Sequence, residues 1–110
     1  MKISWTDVAI DDLLEIREHW QAESKEYSAQ LTKGIRAAVA TLKDWPHQKG
    51  TYIKELEDLS LSQYRQILYE KYRIIFERVE SQDTFVIHIV CHTSRNLESL
   101  LRRRHLANHT

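Results

Sequence analysis

YRQILYEKYRIIFERVESQDTFVIHIVCH, residues 64–92, decides the fold. Three runs inside it, 64–70, 72–79 and 84–92, are rich in β-branched and aromatic residues, the types that fit a pleated, half-buried surface. The connections, Glu70-Lys71 and the four residues 80–83, are short enough for antiparallel hairpins. Strict alternation sends Tyr72, Ile74 and Phe76 of the middle run to one face and Arg73, Ile75 and Glu77 to the other. In the last run it sets Phe85, Ile87, Ile89 and Cys91 against Val86, His88, Val90 and His92. Such a sheet needs an apolar partner to cover it.

That partner lies upstream, where the period changes from two to about 3.6. Lys2 to Trp5 reads as a short first strand, with Ile3 and Trp5 on one face. Thr6 can cap a helix whose start is enriched in acid by Asp7, Asp11 and Asp12. Ala9, Leu13, Ile16 and Trp20 recur at helical spacing, and after Ser24, a second cap, so do Tyr27, Leu31, Ile35, Ala38 and Leu42. Pro46 ends that helix, with Trp45 as a packing residue at its end. Lys49-Gly50 reads as a turn and ELEDLSLS, 55–62, as irregular chain. Downstream of the sheet, NLESLLRRRHL (96–106) forms a short closing helix with Leu97, Leu100 and Leu101 on its apolar side. The order predicts an α+β class with its helices packed on one face of the sheet: an N-terminal strand and a two-helix hairpin on a mainly antiparallel sheet, with a short C-terminal helix.

Composition bounds the function. One hundred and ten residues make one domain spanning 1–110, and 42% hydrophobic with 29% charged residues excludes a disordered chain. The single cysteine, Cys91, excludes an internal disulfide. The N-terminus turns acidic where a secretion signal needs an apolar core, and no apolar run approaches the roughly 18 residues of a membrane span. A cytoplasmic protein without a membrane partner is therefore expected. Net charge is zero, yet residues 1–60 hold 8 basic against 11 acidic residues, whereas 61–110 hold 8 against 5. The basic second half suits an anionic partner, nucleic acid or acidic protein, or else a solvated helix end whose cations favour the C-terminal dipole.

The opening WTDVAIDDLLEI, the Leu-x-x-Trp-Pro ending of the second helix, the strand YRIIFERV and the ending VIHIVCHTSRNLESLL together resemble the RelE/ParE toxin superfamily, over nearly the whole chain. The resemblance implies the toxin half of a type II toxin–antitoxin, or plasmid-stabilisation, pair. It implies neutralisation by a cognate antitoxin whose disordered segment folds on the toxin, in a hetero-oligomer. RelE-like members cleave messenger RNA on the ribosome, whereas ParE-like members inhibit DNA gyrase by binding. The CHTSRNL segment, 91–97, is similar to the ParE-side ending, with Asn96 where Asp is usual.

A metal-independent ribonuclease must move a proton from a 2′-hydroxyl and stabilise a phosphorane, so it wants acid–base groups and arginine forks. Arg73, His92 and Arg95 supply part of that set, with Arg65 and Glu70 adding charge nearby; Arg73 matches the strand arginine that RelE-like nucleases set against phosphate. The same residues suit a plainer role, Arg73 paired with a carboxylate and His92 ending a strand. Against catalysis, the sheet mixes acids (Glu70, Glu77, Glu80) among its bases, and no tyrosine follows Tyr72. Arg95 with Arg102, Arg103 and Arg104 is the expected surface for an acidic partner, gyrase or antitoxin.

Neither a metal nor any other cofactor is expected. Four strand residues hold His88 and His92 about 13 Å apart even on one face, and His105 and His109 lie where a chain end frays. Cys91, on an apolar face, reads as a small buried hydrophobe, and Trp5, Trp20 and Trp45 read as core residues.

Overall fold

A computed structural model of the chain describes residues 1–44, 50–57 and 63–108, with side chains left undescribed at 55, 57 and 105–108. The elements are β1 (Lys2–Trp5), α1 (Asp7–Gln21), α2 (Lys25–Ala40), β2 (Thr51–Tyr52), the single turn α3 (Lys54–Glu57), β3 (Tyr64–Tyr69), β4 (Tyr72–Val79), β5 (Thr84–His92) and α4 (Leu97–Asn108). The expected positions of Trp45, Pro46, Lys49 and His109 lie outside the described residues. The α+β reading holds, and the hairpin of α1 and α2 packs on the sheet as expected.

The helix starts follow the chemistry of their caps. The Thr6 hydroxyl accepts from the Ala9 N–H at 3.1 Å, and Ser24 does the same for Tyr27 at 3.2 Å, each satisfying a donor that a helix start leaves without a partner. Thr6 also ties the helix to the sheet, because its N–H and hydroxyl both donate to the Ile87 carbonyl at 3.1 Å. After Ala40 the chain tightens into a 3-10 turn, Thr41–Lys43.

The sheet order is β1-β5-β4-β3-β2. The two hairpins β3–β4 and β4–β5 are antiparallel, whereas β1 joins the outer edge of β5 in parallel, Ile3 beside Phe85 and Trp5 beside Ile87. On one face Ala9, Leu13, Leu31, Ile35, Val39 and Leu42 of the hairpin meet Ile67, Ile74, Phe76, Phe85, Ile87 and Val90. Fully burying a side chain of that size stabilises by about 1.5–3 kcal/mol. Trp5 and Trp20 pack half-buried at the rim of this core.

Two expectations change. The helices do not all lie on one face: α3 and α4 bury Leu56, Leu97 and Leu100, together with Ile53, on the opposite side against Ile75, Ile89 and Cys91. A bare second face carrying Ile75 and Ile89 would be costly, which is why the closing helix folds under the sheet. Strict alternation also fails in β5. Its register against β4 runs Ile74 with Val90, Ile75 with Ile89, and then Phe76 with Ile87, so His88 is an extra residue in a β-bulge. Phe85 and Ile87 therefore face α1 and α2 while Ile89 and Cys91 face α4, and one strand serves both cores.

Candidate functional site

The bulge sets where the chemical side chains go. Arg73 pairs across the sheet with Cys91, which faces α4, whereas His92 pairs with Tyr72, which faces α1. The two residues of the expected nuclease set thus leave the sheet on opposite sides. Arg73 is 8% exposed and donates from Nη2 to the Thr93 carbonyl at 3.0 Å. His92 stacks edge-on against Tyr72, and both the N–H and the hydroxyl of Ser94 converge on its Nδ1, at 3.1 and 2.8 Å. Tyr72 in turn accepts from the Trp20 indole N–H at 2.9 Å. Arg65 lies two strands away from β5, its guanidinium over the Tyr52 ring and bonded to the Tyr52 hydroxyl. Glu70 occupies the β3–β4 turn with a left-handed φ of 53°.

His88, expected on the same face as His92, is instead turned by the bulge toward Glu77 and Tyr64, with 3.1 Å from Nε2 to the Glu77 carboxylate. Burial and the Glu77 charge raise the Tyr64 phenol above its ordinary pKa. No group of three or more His, Cys, Asp or Glu side chains converges among the described residues. Burial likewise raises the Cys91 thiol, with Arg73 offsetting part of the shift, so a thiolate nucleophile is disfavoured.

What the fold does assemble is a cleft of about 750 Å³ between α1 and α4, at the end of β5. Asp11, Asp12 and Glu15 line its α1 wall, and Arg95, Arg103 and Arg104 line the other, with His92 between them. β1 stops at Trp5, so among the described residues β5 has no strand neighbour on this side beyond Ile87. Two side chains take over the edge. Arg104 donates to the His88 carbonyl at 2.7 Å and to Asp12 Oδ1 at 2.5 Å, and Asp12 Oδ2 accepts from the Val90 N–H at 2.9 Å. Their side chains are only 13% and 18% exposed, for Asp12 and Arg104 respectively.

The four arginines therefore do not form one free strip. Arg104 is committed to the sheet edge, Arg102 pairs with Glu98 one turn back at 2.7 Å, and Arg95 and Arg103 remain exposed on the cleft rim. Asn96, which stands where Asp is usual, caps α4, its Oδ1 accepting from the Ser99 N–H at 2.9 Å. An asparagine before an apolar helical stripe is a readable cap signal. Asp12 could not be picked out in the same way, because its neighbours Asp7 and Asp11 are equally suited to a helix start.

The ParE toxin model, of the parDE type II toxin–antitoxin system, matches residues 3–97. No curated protein matches the chain. Among solved structures, the chain is similar to the chromosomal ParDE toxin–antitoxin system of P. aeruginosa, with a TM-score of 0.69 at 18% identity over 84% of this chain and 95% of that one. It is similar also to the YoeB/ParE toxin of Agrobacterium tumefaciens (TM-score 0.58, 19% identity, 84% and 98% covered). The isolated RelE toxin of E. coli aligns with a TM-score of 0.51 at 10% identity over 96% and 97%.

Proposed function

The chain belongs to the ParE toxin family of type II toxin–antitoxin systems, and from that premise we propose that it acts by binding DNA gyrase, not by cutting RNA. The observation that carries this reading is the separation of Arg73 from His92 by the sheet itself. An acid–base group and a phosphate-gripping arginine must reach the same phosphate within hydrogen-bond distance of it. Here the arginine is buried on the α4 face with its guanidinium on a backbone carbonyl, and the histidine ends β5 on the α1 face. The exposed cations Arg95, Arg102 and Arg103 are the residues we assign to the target, where an acidic surface would meet them. A disordered antitoxin segment that folds on the toxin supplies neutralisation.

Two parallel assays with the purified protein separate the readings: supercoiling of relaxed plasmid by gyrase, and translation of a reporter message in a reconstituted system. Supercoiling is expected to fall while translation continues, and His92→Ala is expected to inhibit gyrase as wild type does. Arrested translation with cut message, abolished by His92→Ala, would instead establish the RelE-like ribonuclease.

A further inference from the structure

The turn that follows β5 carries a serine–histidine pair that neither the sheet nor the gyrase reading uses. A backbone N–H can only donate, so the Ser94 N–H at 3.1 Å assigns a lone pair, not a proton, to His92 Nδ1. The Ser94 hydroxyl, 2.8 Å from the same nitrogen, therefore donates to it as well. That is the contact between a hydroxyl nucleophile and its general base. The Ser94 N–H alone suffices to close the turn on the imidazole, so the hydroxyl supplies nothing that the backbone requires.

The pair is held in place on several sides. Thr93 donates its N–H to the Lys71 carbonyl at 2.9 Å and accepts from Arg73 at 3.0 Å, and the Arg95 N–H donates to the His92 carbonyl at 3.0 Å. The Tyr72 ring stands edge-on to the imidazole. A nucleophile and base fixed before the reactant arrives spare the reaction that ordering. Residues 93–96 are all exposed, which leaves the hydroxyl open to a small molecule. The surrounding charge selects its sign. Arg95 follows Ser94 directly and, with Arg103, lines the rim of the cleft where His92 lies, and both favour an anion. On the α1 wall Asp12 is taken up by Arg104 and Val90, while Asp11 and Glu15 keep an anion to the arginine side.

We propose that Ser94 is a covalent modification site, its hydroxyl taking a phosphoryl group from a small acyl phosphate with His92 as the base. The Oγ–P bond forms as the donor's anhydride P–O bond breaks. The electron pair of that bond leaves on the carboxylate, and the hydroxyl proton passes to Nδ1 and then to water. Arginine forks fit phosphoryl oxygens and stabilise the charge that develops on them, help that a neutral acyl donor does not receive. The product adds a charge of about −1.5 to −2 next to Arg95, among the cations assigned to the target. The chemistry stands on the geometry of the turn; its consequence, a toxin silenced by phosphorylation, rests on the gyrase reading above.

The test is incubation of the full chain with acetyl phosphate, the adduct being located and timed by peptide mass spectrometry. Wild type is compared with Ser94→Ala, His92→Ala and the milder His92→Gln, melting curves confirming that each variant folds. Ser81 and Ser99 are controls within the same molecule, since both are exposed and among the described residues no histidine is bonded to either hydroxyl. A phosphoryl adduct at Ser94, absent from Ser81 and Ser99, is expected. It should form roughly a hundredfold more slowly in His92→Ala and recover in that variant with free imidazole. Labelling of Ser94 no faster than of Ser81, a wild-type rate in His92→Ala, an acetyl adduct in place of the phosphoryl one, or an acid-labile adduct on His92 itself overturns the proposal. Supercoiling assays then read the consequence, the phosphorylated protein being expected to inhibit gyrase less than the untreated one. Equal inhibition by the two overturns the silencing. If the untreated protein leaves gyrase active, the gyrase reading falls, and the mass-spectrometric result still decides the site.

Discussion

Replacing Asp12 by alanine isolates the energetics of the β5 edge. Two groups lose their partner at once: the Arg104 guanidinium, which keeps only the His88 carbonyl, and the Val90 N–H, which keeps nothing in its place. Removing one member of a buried ion pair costs about 3–5 kcal/mol, and a buried backbone donor left unmade costs about 1–3. Side-chain exposures of 13% and 18% admit some water, which pulls the sum to its low end, about 4 kcal/mol. For a domain stable by roughly 5–15 kcal/mol this is a large fraction, and melting should fall by roughly 15–20 °C. Asp12→Asn keeps an acceptor for Val90 and should cost less than Asp12→Ala. Arg104→Ala leaves Asp12 bonded to Val90 but without its cation. The double change leaves no buried charge, so its cost should fall short of the sum of the singles by about 1–2 kcal/mol. Urea unfolding of all four proteins, followed by circular dichroism, reads the cycle. Single-mutant losses below about 1 kcal/mol, with costs that simply add, would refute the reasoning.

Two other perturbations follow from local geometry. Gly50 holds a φ of 88° with its missing Cβ aimed 2.6 Å from the buried Phe76 ring, so Gly50→Ala is expected to cost about 1–3 kcal/mol in the same urea assay; a neutral result would mean that the turn relaxes freely. Cys91 should react with a thiol reagent at mildly alkaline pH only as fast as the protein opens, and at least a hundredfold faster in denaturant. Because burial raises its pKa above the unfolded value, the associated stability is full below that value, near 9.0, and is lost as pH rises past it. Rapid labelling of native protein would contradict the burial on which both statements rest.

The helices were readable because their stripes have one explanation each. Ala9 and Leu13, and Leu31 and Ile35, recur at helical spacing and are buried where that spacing puts them. The sheet was readable in its strands but not in its pleat. An alternation argument assumes one residue per step, and His88 breaks that assumption without any glycine or proline to announce it. Everything beyond the bulge then changes sides relative to Phe85 and Ile87. The site inherited that error for His88 and His92, while the separation of Arg73 from His92 depended on a cross-strand register that no local pattern states. The role of Arg104 was hidden for another reason: its partners Asp12 and His88 are 92 and 16 positions away, and a run of three arginines looks uniform until one of them is buried.

The parallel pairing of β1 with β5 carries a temporal consequence. Ile3 finds its neighbour at Phe85, so the place of β1 is fixed only once a strand 82 positions downstream has been made. Contacts between such distant positions close a long loop late and slow the folding of the whole. A growing chain that has not yet reached residue 84 can form its hairpin but has no β5 for β1 to join and no sheet edge for Thr6 or Asp12 to hold. A chain built in this order cannot complete its sheet before β5 is made, so the cleft between α1 and α4, which lies at the end of β5, forms only after that strand is in place.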